Sequence, residues 1–210
     1  MFRFSTFSAA PALVLLLSGT AHAALTADQV WQSWKDGAAQ AGLTITAATE
    51  ANSGGVLTLN GITIMPAGAP SGLTISDMTL TEESDGSVTI RPGASMGLDV
   101  AEGNNKMALN VVHDGLTMVA KEADGGLVYD FSAAKLDVDF STAMEGFSAD
   151  ASQPAPVSTA AGKIGLSELA GSYSDTPGAN RAFGLDIAAK SMAYDVSSED
   201  PGMSMKSASK

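Results

Sequence analysis

Histidine sets the first limit on what this chain can catalyse. It carries two, His22 and His113, and no cysteine. Zinc sites built on several histidines or on thiolates therefore cannot form. A disulfide framework, thiolate chemistry and a lipidated cysteine are excluded as well. A Ser–His–Asp triad would need His113 as its base. His113 precedes Asp114-Gly115, so the expectation is a solvent-facing turn residue, with no Gly-x-Ser-x-Gly nucleophile elbow expected to support a triad.

Carboxylates are the other candidates. They cluster at Glu82, Glu83 and Asp85, at Asp137 and Asp139, and at Glu199 and Asp200. Glu82-Glu83-Ser84-Asp85-Gly86 is too short for a calcium loop, which must supply about six to eight oxygens. Asp137 and Asp139 alternate on one face of an expected strand, and a solvated edge is the simpler reading. A dispersed pair of acids working as a hydrolase remains an alternative without a motif. No glycine run follows a strand and opens a helix, so nucleotide binding has no support. The expectation is a protein that is not an enzyme and carries no cofactor or metal.

Charge narrows the partners. The formal net charge is −12. Nucleic-acid surfaces are basic, so a nucleic-acid partner is not expected. Electrostatic docking on anionic lipid is disfavoured for the same reason.

Address comes from the first 23 residues. Arg3 starts them, Phe7 to Leu17 are largely apolar, and Ala21-His22-Ala23 gives the small-x-small pattern of a cleavage site. The run is too short, and too broken by Ser8 and Pro11, to span a bilayer, which takes about 20 apolar residues. Residues 1–23 thus read as a signal peptide, and the product as periplasmic or secreted. Cleavage there removes one of 11 basic residues and none of the 23 acidic ones. No later stretch predicts a transmembrane helix. An outer-membrane barrel is disfavoured, since few aromatics are available for two girdles.

Next comes the element that opens the mature chain. Thr26 and Gln29 form a capping box, Asp28 suits the positive helix end, and Gly42 stops the helix. Ala27, Trp31, Trp34, Ala38 and Ala41 recur on one face. After Gly42 the period becomes 2. Leu43-Thr44-Ile45, Leu57-Thr58-Leu59, Ile62-Thr63-Ile64, Leu73-Thr74-Ile75 and Met78-Thr79-Leu80 each put Thr on one face and aliphatics on the other, as in a half-buried antiparallel sheet.

Several runs change phase midway: Leu59 to Ile62, Ile75 to Met78, Phe131 to Leu136, and Ile187 to Met192. Such a step turns a regular strand over. Asn60-Gly61 has hairpin chemistry. The other breaks do not, and they predict long, bulged, curved strands. Residues 148–162 predict a flexible loop, and the polar stretch 197–210 a disordered tail. The expected fold is mainly β: a curved antiparallel meander of 9 to 12 strands over residues 24–196, with one short amphipathic helix packed on it.

The segment from Leu25 to Ile64 resembles the start of a family of exported alphaproteobacterial proteins, domain of unknown function 2125. The markers are Trp31, Trp34, the Gly42 helix stop and the run Leu57-Thr58-Leu59-Asn60-Gly61-Ile62-Thr63-Ile64. The resemblance implies an N-terminal helix followed by many alternating strands, in a family of longer chains of which this one is either a short member or a fragment. It carries over no functional residue.

Two functional expectations follow. The first is an envelope protein that cradles a lipid or other apolar ligand, with Trp31, Trp34, Ile75, Met78 and Leu80 lining the site. Flexible thioethers at Met78, Met96, Met107, Met118, Met144 and Met192 suit an adaptable surface. The second is a scaffold that pairs sheet edges with another envelope protein.

Overall fold

The computed structural model describes residues 24–69, 71–102, 105–123, 125–146, 157–176, 182–200 and 203–209. The expected signal peptide lies outside these residues. The helix α1 spans Ala27–Gln40. Twelve strands follow: β1 Leu43–Ser53, β2 Val56–Pro66, β3 Leu73–Glu82, β4 Val88–Pro92, β5 Ser95–Glu102, β6 Asn105–Asp114, β7 Thr117–Ala123, β8 Gly126–Glu145, β9 Val157–Thr176, β10 Ala182–Ala188, β11 Ser191–Asp200 and β12 Met203–Ser209. All pair antiparallel in one sheet.

The helix starts where its capping box places it. Thr26 Oγ1 accepts from the Gln29 amide at 3.2 Å, and Gln29 Oε1 accepts from the Thr26 amide at 2.8 Å. Glu82 on β3 accepts from the Ala27 amide at 3.0 Å, which ties the positive helix end to the sheet. Gly42 leaves the helix at φ 72°, a conformation that favours glycine.

Residues opposite one another on neighbouring strands share a face. Leu57 faces Leu80, Leu80 faces Ile90, Ile90 faces Met118, and Met118 faces Phe131. In the other half of the sheet Ile62 faces Ile75, Ile75 faces Met96, Met96 faces Val111, and Val111 faces Val138. Buried members of both rows belong to one core with Val30 and Trp31 of α1. One apolar face therefore runs across the sheet in spite of the phase steps.

The steps line up. Gly61 lies between the pairs Asn60–Thr49 and Ile62–Ala47 on one side and Asn60–Asp77 and Ile62–Ile75 on the other, so it sits level with Ala48 and Ser76. Across the sheet the same line passes through Gly93, Gly115, Ala134, Glu168 and Lys190. The Gly93 amide donates to Asp77 O, Ala134 lies level with Glu168, and the Lys190 amide donates to Ser167 O. Positive φ at Gly61 (60°), Gly115 (67°) and Glu168 (47°) turns the side-chain alternation over at this line.

Four expectations change. Asn60-Gly61 is not a hairpin but the middle of β2, because its neighbours supply matching breaks. No extra residue separates β1, β2 and β3 there, so the bulge expected in this region is an aligned phase step. True extra residues appear at two places on the line: where Gly93-Ala94 joins β4 to β5, since Met78 faces Pro92 whereas Ile75 faces Met96, and where β6 passes into β7, since Ser95 faces Val112 whereas Ile90 faces Met118. Residues 157–162, expected in a loop, begin β9, and residues 147–156 lie outside the description. Where a tail is expected from Ser197, β11 runs on to Asp200 and β12 pairs with it.

Candidate functional site

The helix covers only part of the apolar face. It contacts β1, β2 and β3 and reaches β8 through Trp34, whose Nε1 donates to Tyr129 Oη at 2.9 Å. Beneath it the core is sealed. Trp31, Ile75, Met78 and Leu80 are buried, and Trp34 is half-buried. These five residues, expected to line a ligand site, therefore form a closed core that holds the helix to the sheet. The Trp31 indole N–H is buried without an acceptor, while Lys35 Nζ lies 5.3 Å from the Trp31 ring.

Beyond the helix the same face is bare. Leu109, Val138, Phe140, Ile164 and Leu166 are half-buried, and Met192 on β11 is 59% exposed. Pairing places them together: Leu109 faces Phe140, Val138 faces Ile164, and Leu166 faces Met192. The opposite face is polar there. Lys163 pairs with Asp139 at 2.9 Å and Lys135 with Asp137 at 2.6 Å. Asp137 and Asp139 therefore lie on the solvated face of a central strand, not on an edge.

An aromatic ladder joins the covered and bare regions. Trp31, Trp34, Tyr129, Tyr173 and Phe183 follow one another with ring centroids 6.3, 6.1, 5.8 and 6.2 Å apart. Burial pushes the Tyr129 hydroxyl up to about 12, against its bond from Trp34. Sequence reading missed the ladder's outer half, because Tyr129, Tyr173 and Phe183 meet only through strand register. Beside the ladder, Gly171 leaves room for the Phe131 ring and the Asp186 carbonyl, both of which a Cβ there would strike.

Two clefts flank the bare face. One, of about 630 Å³, opens between α1 and the β7–β8 hairpin, with Leu25 and Leu127 on its floor and Asp36, Glu122 and Asp175 around it. A second, of about 460 Å³, is lined by Val100, Met107, Thr142 and Ala160 at the far end of β5, β6, β8 and β9.

A Ser–His–Asp triad on His113 is not assembled among the described residues. Sequence reading passed over one motif: Gly93-Ala94-Ser95-Met96-Gly97 has the spacing of a nucleophile elbow. That elbow belongs to a strand-to-helix turn, whereas this pentapeptide joins two strands at an extra residue. Ser95 faces Val112, so His113, the next residue along, belongs to the other face. Both His113 ring nitrogens are engaged. Nδ1 accepts from the Leu116 amide at 3.3 Å, which leaves Nε2 protonated to donate to Gly93 O at 2.6 Å. His113 is thus a clamp on the phase line rather than a solvent-facing turn residue.

The acidic clusters are structural too. Glu82 caps α1, and Asp85 accepts from the Ser87 hydroxyl at 2.6 Å and from its amide at 3.0 Å. Those bonds hold the Asp85 carboxyl below the usual range. Glu199, the last residue but one of β11, is exposed. Among the described residues no group of three potential ligands could hold a metal, and no helix is long and apolar enough to cross a membrane. The chain matches no family model, no curated protein and no solved structure.

Proposed function

We propose that this chain is an exported, non-enzymatic envelope protein that holds a lipid or other apolar ligand against the uncovered part of its sheet. One observation carries the reading: an apolar face that continues without a break in character from the sealed core under α1 to the bare strands β5, β6, β8, β9 and β11. Folding alone favours covering such a surface, since each buried Å² of apolar area is worth about 25 cal/mol. Large exposed apolar patches mark interaction sites. The export reading rests on Arg3, the apolar run and Ala21-His22-Ala23.

The ligand site moves relative to the sequence expectation. Met107, Val138, Phe140, Leu166 and Met192 take the place of Ile75, Met78 and Leu80. Thioethers at two of these positions adapt to chains of varied shape. The test is native mass spectrometry of the protein purified without detergent, followed by organic extraction. Excess mass that extracts as lipid is the expected result. A clean apo mass, with no mass gained on incubation with lipid vesicles, rules the reading out.

A further inference from the structure

We propose that β10 is a homodimerisation edge, at which a second copy of this chain adds its own β10 antiparallel about a two-fold axis through Leu185. Among the described strands β10 pairs only with β9. The described part of β12 runs beside β11, from Met203 opposite Asp200 to Ser209 opposite Tyr194, and pairs with no residue of β10. Native sheets blunt an open edge with charged side chains, lysine above all, with proline or with a bulge. Residues 182–188 read Ala-Phe-Gly-Leu-Asp-Ile-Ala, with Asp186 as the one charge and neither lysine nor proline.

The side chains on β10 point the same way. Leu185 is 66% exposed and Ile187 57% exposed, on the face they share with Tyr173 and Gly171 of β9. That is the face of the core, so a strand added here extends the apolar surface beyond one chain.

Self-complementarity identifies the partner as a second copy. With Leu185 opposite Leu185 of the other copy, Phe183 stands opposite Ile187 and Gly184 opposite Asp186. Every apolar residue then meets an apolar one, and the single charge of the strand meets glycine. A two-residue shift centred on Asp186 sets two carboxylates face to face, and like charges directly opposite are destabilising. Shifts by one residue put apolar side chains opposite polar ones. The opposite two-residue shift, centred on Gly184, pairs Phe183 with Leu185 but leaves Ile187 with no opposite residue on the partner's β10, so the register through Leu185 is the favoured one. The inference stands apart from the ligand reading, since it needs only the backbone edge and these seven residues.

The absence of native cysteine makes the test clean. Directly opposed residues have Cα atoms about 4.5 to 5.5 Å apart, within disulfide reach, whereas diagonal neighbours lie at about 7 to 8 Å, beyond it. Leu185→Cys should therefore cross-link to a covalent dimer under mild oxidation, and Asp186→Cys should not. Sedimentation of the unmodified protein should show mass rising roughly twofold with concentration, and Leu185→Lys should hold it at one chain. Circular dichroism checks that each variant keeps its fold. A protein that stays monomeric at every concentration, a dimer that survives Leu185→Lys, or cross-linking through 186 in preference to 185 each overturns the proposal.

Discussion

His113 and Tyr129 show how polar atoms are used inside this sheet. His113 has an acceptor and a donor role fixed at once, on Leu116 and Gly93, at the line where strand alternation reverses. His113→Leu removes both bonds and strands two backbone groups, so a loss of about 1 to 3 kcal/mol is expected in urea unfolding. Ser95→Ala should leave stability within about 0.5 kcal/mol, as for a surface site. Tyr129 gives a pH signature. Its pKa of about 12 lies above its ordinary 10.0, so burial favours the neutral hydroxyl in the folded state. Below pH 10 both folded and unfolded forms are neutral and this stability is fully present. It is lost as pH rises from 10 to 12, where only the unfolded chain ionises. Alkaline unfolding should therefore steepen in that window, and Tyr129→Phe should flatten it. An identical alkaline limb in Tyr129→Phe would show that another group drives the loss. The ladder's outer half and the bond from His113 to Gly93 were illegible in sequence, since both depend on strands brought side by side from about 10 to 50 positions apart.

Strands carry the phase line, and two residues on it separate its conformational cost from its contacts. Gly61 has φ 60°, and a Cβ there would lie 3.0 Å from the Ala48 Cβ. Gly61→Ala adds left-handed strain of about 1 to 2 kcal/mol to that contact. Glu168 already bears such strain at φ 47°, and its exposed ion pair with Lys190 is worth about 0 to 1 kcal/mol. Glu168→Gly should thus be neutral or stabilising, by up to about 1 kcal/mol, while Gly61→Ala destabilises. Thermal midpoints moving in the same direction for the two would refute the account. The phase steps at Leu59/Ile62, Ile75/Met78, Phe131/Leu136 and Ile187/Met192 were all legible. Their alignment was not, because a single strand's alternation says nothing about which break stands beside it. Local chemistry at Asn60-Gly61 pointed to a hairpin for that reason: the dipeptide supplies the positive φ that a turn needs, and here the same φ serves a strand.

Across the whole molecule, periodicity revealed which side chains share a face but not how far α1 covers it. A 14-residue helix is about 21 Å long and shields a few strands of a twelve-stranded sheet. Met78 and Met192 look alike in sequence, each in an apolar-alternating run, yet one is buried in the core and the other 59% exposed on the bare face. Met78→Lys forces a charge into that core at a cost of several kcal/mol, and the protein should fail to fold. Met192→Lys sets the charge in solvent on a surface already wet, so its unfolding midpoint should stay near that of the unmodified protein. What it should lose is ligand: a lysine on the bare face interrupts the apolar track between Leu166 and the solvent. Lipid recovered by organic extraction should fall severalfold in Met192→Lys with circular dichroism unchanged. Full retention of lipid by a folded Met192→Lys protein would move the ligand off this part of the sheet, and the cleft between α1 and the β7–β8 hairpin would be the next place to substitute.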